Sequence, residues 1–200
     1  ALRALEIGPG DEVITTSFTY IAPAESIHQM GAKVVFADVD PHTFLIDPQD
    51  VSRKITPRTK AIIPVHIGGL PAAMDPIVAL ARRRGLKVIE DSAHAHGSCY
   101  RGRPVGGLGD FGSFSFQSSK NLCCGEGGII LTQNQGSADL CEAIRNCGRL
   151  KGAQWYEHGI LAGNFRLAQF SAAVLRAQLV KLESQTKTRD ENGRYLDEQL

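Results

Sequence analysis

The amino-acid sequence predicts an α/β domain built on a mostly parallel β-sheet. Short apolar runs rich in β-branched residues alternate along the chain with segments of helical periodicity. One strand–helix–strand unit, over 60–89, requires parallel pairing of its two strands and a right-handed crossover between them. Alternation of this kind is typical of a sheet that is covered by helices.

The opening of the chain reads as the end of a helix followed by a first strand–helix–strand pattern. Residues 1–7 have helical character, which the sequence Gly8-Pro-Gly stops. The run 12–16, Glu-Val-Ile-Thr-Thr, is rich in β-branched residues, and it predicts a strand. A helix is predicted over 23–30, where a glycine follows it, and the run 33–37 predicts the next strand.

The middle of the chain contains the unit that defines the parallel sheet. The continuous β-rich run 60–65 predicts a buried strand. Asp75 and Pro76 are typical of a helix N-cap followed by proline at the first helical position, and Gly85 ends the predicted helix. The run 87–89 predicts the strand that returns beside the first one.

The last part of the chain adds two strands and two helices. Runs at 111–116 and 128–132 predict strands, and 138–147 predicts a helix. Residues 165–200 form a long helical pattern without a stop signal. Because the opening helix also lacks a beginning, we expect the chain to be incomplete at both ends.

Composition excludes several classes of protein. The net charge is +1, which gives no electrostatic basis for binding nucleic acid or an anionic membrane. No apolar run approaches the roughly 18 residues of a membrane span. The five cysteines are odd in number and form no CxxC pair, so we expect reduced thiols and a cytoplasmic protein. The histidines show no metal-ligand spacing, and no metal is predicted.

Asp91 is the first residue that points to chemistry. It ends the run Lys87-Val-Ile-Glu-Asp, and in open α/β sheets ligands bind beyond the carboxyl ends of the strands. Two acidic residues after a buried strand are costly unless one has a partner. The protonated nitrogen of a pyridine ring is one such partner, because the carboxylate keeps the ring an electron sink. Taken alone, Asp91 is better explained as a helix cap or a surface acid.

Lys120 is the second such residue. It follows the serine-rich strand end Ser113-Phe-Ser-Phe-Gln-Ser-Ser, and the glycine-rich stretch Gly125-Glu-Gly-Gly follows it. Small hydroxyl side chains and glycines suit the close approach of a phosphate. An imine-forming lysine needs a neutral amine, which desolvation or neighbouring cations provide. Most lysines are merely solvated, so the case depends on the combination of motifs.

That combination resembles the DegT/StrS family. The matching stretches are Asp91-Ser-Ala-His-Ala-His-Gly, Phe114-Ser-Phe, Lys120-Asn-Leu, Gly125-Glu-Gly-Gly, Arg145-Asn-Cys-Gly-Arg and Gly163-Asn-Phe-Arg-Leu. The resemblance covers nearly the whole chain in order. It implies a three-layer α/β/α sandwich, the large domain of a fold-type-I enzyme that uses pyridoxal 5′-phosphate (PLP).

The resemblance also assigns roles to individual residues. Lys120 matches the lysine that holds PLP as a Schiff base and carries the proton in catalysis. Asp91 matches the partner of the pyridine nitrogen, and His94 falls near the 3-hydroxyl of the cofactor. Tyr20 falls at the aromatic position that packs on the pyridine ring, and Ser115 matches the serine that binds the cofactor phosphate.

Asn164 has a role that requires a second subunit. It matches an asparagine that reaches the cofactor phosphate from the partner, which implies a homodimer with a shared active site. The resemblance further implies a large PLP-binding domain over 1–165 without its N-terminal part. Residues 166–200 would form a long helix that leads to an absent C-terminal small domain.

The implied activity is transfer of an amino group from glutamate or glutamine to a keto-sugar or keto-cyclitol. There are three alternatives to this activity, and the sequence argues against only the first of them. A PLP-dependent dehydratase of the family would have histidine in place of Lys120, which argues against it. An aminohydroxybenzoate-synthase-like enzyme has similar motifs and is not separated by sequence. The chain could also be a truncated, non-catalytic binding or regulatory relic on the same scaffold.

Overall fold

A computed structural model describes residues 1–200, and its centre is a six-stranded sheet. The sheet order is β2-β1-β3-β4-β7-β8, and only β7 and β8 pair antiparallel. The strands of this sheet are β1 (Glu12–Thr16), β2 (Lys33–Ala37), β3 (Thr59–Ile63), β4 (Lys87–Asp91), β7 (Phe111–Ser115) and β8 (Gly128–Leu131). The predicted mostly parallel α/β sheet is confirmed.

Helices cover both faces of this sheet and make three layers. The helices are α1 (Ala22–Gln29), α2 (Pro48–Lys54), α3 (Met74–Arg84), α4 (Gln135–Arg145), α5 (Gln169–Leu179) and α6 (Leu182–Gln199). Side chains alternate along β1, so that Ile14 joins the core under α2 and α3. Val13 joins the opposite core, which contains Ile27 of α1 and is lined by Cys141 of α4. Burial on both faces is what a parallel sheet requires.

Two elements were missed by the sequence patterns. Helix α2 begins after Asp47, whose side chain accepts hydrogen bonds from the backbone N–H groups of Gln49 and Asp50, with Pro48 at the first position. The pair Asp47-Pro48 is therefore a local sequence pattern that indicates the start of this helix. A two-stranded antiparallel hairpin, β5 (Cys99–Tyr100) and β6 (Arg103–Pro104), is too short to show periodicity.

The predicted cap of α3 was wrong. The helix begins at Met74 with Ala73 as the N-cap, so Asp75 lies inside the first turn. Its carboxylate instead pairs with Arg101 at 2.7 Å and Arg103 at 2.9 Å, both from the β5–β6 hairpin. A pairing across 26 and 28 positions of sequence has no local signature.

The long terminal helix is two helices rather than one. Helix α5 ends at Leu179 and α6 begins at Leu182, and the backbone N–H of Lys181 donates to Gln178 O at 3.0 Å. This tighter bond replaces the usual one to the carbonyl four residues back, which interrupts the ladder without glycine or proline. No helix in the chain combines the length and the apolar character needed to cross a membrane.

A buried carboxylate at the amino ends of the parallel strands is fully paired. Glu12 is 1% exposed at the start of β1 and accepts hydrogen bonds from Thr56 at 2.6 Å and Arg58 at 2.8 Å. These bonds, led by the one from Thr56, lower the pKa of Glu12 to about 2. Glu12 therefore stays ionised and ties β1 to the segment before β3, away from the carboxyl edge that concerns function.

Candidate active site

The polar residues singled out by sequence gather at the carboxyl edge of the sheet. Asp91 ends β4 and Ser115 ends β7, and these strands are parallel neighbours with Asp91 opposite Ser113. Lys120 lies five positions beyond the end of β7, and Tyr20 follows β1. Because parallel strands end at one edge, all of these residues open on the same crevice.

A cavity of about 730 Å³ lies in this crevice. Its wall contains five of the six residues that the resemblance assigned to the cofactor. The lining residues are Thr19, Tyr20, Ala22, Val65, Asp91, Ala93, His94, Ser115, Gln117, Ser119, Lys120 and Glu126. Asp91 and Lys120 thus face one cavity, as two residues that hold opposite ends of one cofactor ring must.

Asp91 is poorly solvated and incompletely paired. One carboxylate oxygen accepts a hydrogen bond from the backbone N–H of Ala93 at 3.0 Å, and the other has no hydrogen-bond donor within the chain. Burial raises the pKa of Asp91 above its ordinary value, and the Ala93 N–H, His94, His66 and Lys120 offset this effect only in part. A cationic ring nitrogen is the kind of partner that such a carboxylate lacks.

The turn that carries Lys120 is held by Gln117. The backbone N–H of Lys120 donates to Gln117 O at 2.9 Å. The Gln117 side-chain oxygen accepts from both the backbone N–H and the hydroxyl of Ser119, at 2.8 and 2.6 Å. Ser115 Oγ accepts from the backbone N–H of Gln117 at 3.3 Å, which links the end of β7 to the same turn. The turn therefore presents hydroxyl groups and one amine to the cavity.

His94 and Tyr20 complete the wall of the cavity. The backbone N–H of Gly68 donates to His94 Nδ1 at 3.3 Å. Burial and then the charge of Lys120 lower the pKa of His94, so its ring is neutral near pH 7. Tyr20 is 75% exposed and offers an uncovered aromatic face.

Asn164 does not line this cavity. It is exposed, forms an isolated antiparallel bridge with Asn146, and accepts at its side-chain oxygen from the backbone N–H of Arg166 at 3.4 Å. The role given to it by the resemblance belongs to the cavity of a partner subunit, so it stays a prediction.

Sequence reading missed the role of Glu90. This residue is 0% exposed, and its carboxylate accepts from the backbone N–H groups of Gly106, Leu108 and Gly109 at 2.8, 2.7 and 2.8 Å. It also contacts the buried ring of His66, Nε2 to Oε2, at 3.1 Å. Burial acts to raise the pKa of Glu90, but these four bonds outweigh it and keep that pKa below its ordinary value. The adjacent acids 90 and 91 were the available signal.

Two further histidines near this edge of the sheet are buried. His66 is 0% exposed, and its ring contacts the Glu90 carboxylate. His96 is buried and packs against the rings of Phe114 and Phe116. All five cysteines are free. No group of three or more histidine, cysteine or acidic side chains is arranged to hold a metal ion.

Comparison with known proteins agrees with this geometry. The model of the DegT/DnrJ/EryC1/StrS aminotransferase family matches residues 1–200. A UDP-N-acetyl-3-dehydro-alpha-D-glucosamine 3-aminotransferase of Acidithiobacillus ferrooxidans is 49% identical over 183 residues, which are 91% of this chain and 49% of that protein. A pleiotropic regulatory protein of Geobacillus stearothermophilus is 47% identical over 190 residues, 94% of this chain and 50% of that protein.

A solved structure extends the match to three dimensions. The crystal structure of 3-amino-5-hydroxybenzoic acid synthase superposes with a TM-score of 0.91 at 40% identity, over 95% of this chain and 50% of that one. The chain therefore spans about half the length of the relatives it matches. Sequence and fold agree over nearly all of it, and the chain belongs to the DegT/DnrJ/EryC1/StrS aminotransferase family.

Proposed function

We propose that this chain is the cofactor-binding part of a PLP-dependent aminotransferase. The amino donor is glutamate or glutamine, and the acceptor is the ketone of a sugar or cyclitol. The observation that carries the proposal is that Asp91 and Lys120 line the same cavity. Asp91 supplies a carboxylate that lacks a cationic partner, and Lys120 supplies a primary amine. Aminotransferases of this family use PLP.

The donor set of the cavity fits that cofactor. Asp91 has one carboxylate oxygen free to pair with a protonated ring nitrogen, and burial raises its pKa above the ordinary value. Ser115, Ser119 and the backbone of their turn offer the small polar groups that a phosphate needs. Tyr20 offers an aromatic face for ring packing. When bound, PLP supplies an electron-accepting ring and a carbonyl group that takes up and passes on the amino group.

The chain's own residues divide the remaining work. Lys120 Nζ would hold the cofactor covalently and would also be the amine that moves the proton during amino transfer. Asp91 keeps the ring nitrogen protonated, and its backbone position at the end of β4 is set by hydrogen bonds to both neighbours of that strand. His94 faces the same cavity as a neutral hydrogen-bond donor. We assign residues 1–165 to this PLP-binding domain and 166–200 to a helical connection towards a small domain.

Covalent attachment to Lys120 is the first expected result. The protein incubated with PLP and freed of excess cofactor should show a near-ultraviolet to visible absorption band. Borohydride reduction should then add one cofactor mass to the peptide that contains Lys120, because only an imine is reduced to a stable bond. Lys120→Ala should lose both signals.

The matched control for this experiment is Lys187→Ala on α6. Lys187 is exposed and outside the cavity, so its replacement should leave the band and the mass shift unchanged. Retention of the reduced adduct in Lys120→Ala, or an adduct on other lysines only, would contradict the proposal.

A shared active site gives a second expected result. We expect the protein to be a homodimer in which Asn164 of each subunit binds the cofactor phosphate of the other. Asn164→Ala should therefore weaken cofactor retention by about 10- to 150-fold, since one hydrogen bond to a charged group contributes about 1.5–3 kcal/mol. Equilibrium dialysis of PLP checks this, beside sedimentation to measure the oligomeric state. Full retention in a monomer would exclude the shared site.

Two other functions have specific support. The similarity to 3-amino-5-hydroxybenzoic acid synthase supports a synthase that forms an aminohydroxybenzoic acid. The relative from Geobacillus stearothermophilus, called a pleiotropic regulatory protein, supports a regulatory role. Transfer of nitrogen to a keto-sugar favours the first proposal, formation of an aromatic product favours the synthase, and the absence of cofactor binding favours the regulatory role.

A further inference from the structure

The buried Glu90–His66 pair is connected to the cavity by a short loop. The loop after β3 contains a single 3-10 turn, Ile67–Gly69, which directly follows His66. Its backbone N–H at Gly68 donates to His94 Nδ1 at 3.3 Å. The turn is anchored at its far end by Ser98, whose hydroxyl donates to Gly69 O at 2.7 Å. The same few residues therefore touch both the buried pair and a cavity side chain.

The ring of His66 has one allowed protonation state in this network. Its Nδ1 accepts a hydrogen bond from the backbone N–H of Ala72 at 3.1 Å, so this nitrogen carries no proton. The proton is on Nε2, which donates to the Glu90 carboxylate at 3.1 Å. Glu90 is in turn held by three backbone N–H groups. With both nitrogens used, the ring cannot flip without losing two hydrogen bonds in a dry interior.

His94 receives its orientation from the other side of this loop. Because its Nδ1 accepts from Gly68, the proton of the neutral ring is on Nε2. The charged groups that face His94 are Lys120 and Asp91. No residue of the chain hydrogen-bonds His94 Nε2, so this N–H can donate to a ligand in the cavity.

We propose that Glu90 and His66 are positioning residues that hold the Gly68 turn against His94 and so keep His94 as an Nε2–H donor into the cavity. The acceptor would be an oxygen of the bound ligand, and for PLP the family resemblance implies the ring hydroxyl oxygen. The identity of that acceptor rests on the proposed function, whereas the arrangement of the three residues does not. His66 is tied to the site by backbone as well, since its N–H donates to Asp91 O at 3.0 Å.

Nuclear magnetic resonance of the protein without added cofactor tests the arrangement. In the wild type, the Gly68 amide signal should follow the protonation of the His94 ring with pH, because protonation of Nδ1 breaks their hydrogen bond. His66→Asn removes the donor to Glu90 and keeps an acceptor near Ala72. We expect it to speed exchange of the Gly68 amide about tenfold, the effect of losing about one hydrogen bond, and to give His94 both tautomers.

Two variants separate positioning from general loosening. His66→Gln keeps a donor for Glu90 and should restore slow Gly68 exchange and the single His94 tautomer. His28→Gln replaces an exposed histidine of α1 and should change neither signal. A Gly68 amide that ignores His94 protonation overturns the proposal even if His66→Asn fails to fold. Equal exchange in the wild type and a folded His66→Asn also overturns it.

The same variants distinguish this proposal from the proposed function. In protein that has bound PLP, His66→Asn should shift the pH at which the absorption band changes, and His66→Gln should move it back. Failure of every variant to bind PLP, with the Gly68 and His94 signals as expected, would reject the proposed function and leave the positioning role intact. If PLP binds but His66→Asn leaves Gly68 exchange unchanged, the positioning role is rejected and the proposed function stands.

Discussion

Asp91→Asn is expected to leave PLP bound while lowering the rate of amino transfer by about 10²- to 10⁴-fold. Asparagine has nearly the shape of aspartate but no charge, so it cannot keep the ring nitrogen protonated. Removing one partner of a buried charge pair costs about 3–5 kcal/mol, and each 1.36 kcal/mol corresponds to about tenfold in rate. Lys120 and the phosphate-binding turn stay in place, which preserves binding.

The experiment measures two quantities on the same protein. Retained PLP is measured by absorbance after desalting, and the rate of the first half-reaction is measured as keto acid formed from glutamate. Asp190→Asn is the control, because Asp190 lies on α6 in an exposed pair with Arg194. Such a pair contributes little to stability, so we expect wild-type rates. Normal turnover by Asp91→Asn would refute the ring-partner role.

Glu90→Gln is expected to destabilise the folded chain by about 2–6 kcal/mol. Each carboxylate oxygen of Glu90 accepts two hydrogen bonds. Oε2 accepts from His66 Nε2 and the Gly106 N–H, and Oε1 accepts from the N–H groups of Leu108 and Gly109. The glutamine NH2 group must replace one of the two carboxylate oxygens. Whichever oxygen it replaces, it then faces two buried hydrogen-bond donors and cannot accept from them. His66 cannot adapt by changing tautomer, because its Nδ1 already accepts from Ala72. Two donors are left without acceptors, and each costs about 1–3 kcal/mol.

Urea denaturation monitored by circular dichroism measures this loss. Glu142→Gln provides the control on α4, where the exposed side chain pairs only with Arg145 three positions later. We expect the control within about 0.5 kcal/mol of the wild type. Insolubility of Glu90→Gln at a temperature where the control folds agrees with the expectation. A free energy of unfolding equal to that of the control would mean that the four bonds to Glu90 are replaceable.

The pH dependence of this buried carboxylate has a defined sign. The folded pKa of Glu90 lies below its ordinary value, so its stabilising contribution is present above that ordinary value and is lost as pH falls through the folded pKa. Asp91 has the opposite shift, and its burial favours the protonated form until a cation pairs with it. Glu90 and Asp91 are adjacent on β4, so their side chains point to opposite faces of the sheet. The surroundings of Glu90 favour its ionised form, whereas burial favours the protonated form of Asp91.

The sequence by itself determined the six strands of the main sheet and their alternation with helices, and its resemblance to the family named five residues of the cavity wall. Apolar runs report burial on both faces of a parallel sheet, and that burial is a local property of each run. Asp91 and Lys120 were assigned only through the combination of motifs that resembles the family, and they meet in the structure because strand ends of a parallel sheet share one edge. The small α2 helix carried the same Asp-Pro signal at its start as the one noticed at Asp75.

Only the tertiary structure decided which polar residues pair with which. Asp75 had the local pattern of a helix cap, yet it binds two arginines of a distant hairpin. Glu90 and His66 lie 24 positions apart, and the backbone amides that complete their network come from a third segment. Hydrogen bonds between segments far apart in the chain depend on how strands are laid side by side, and no periodicity in the sequence records that choice.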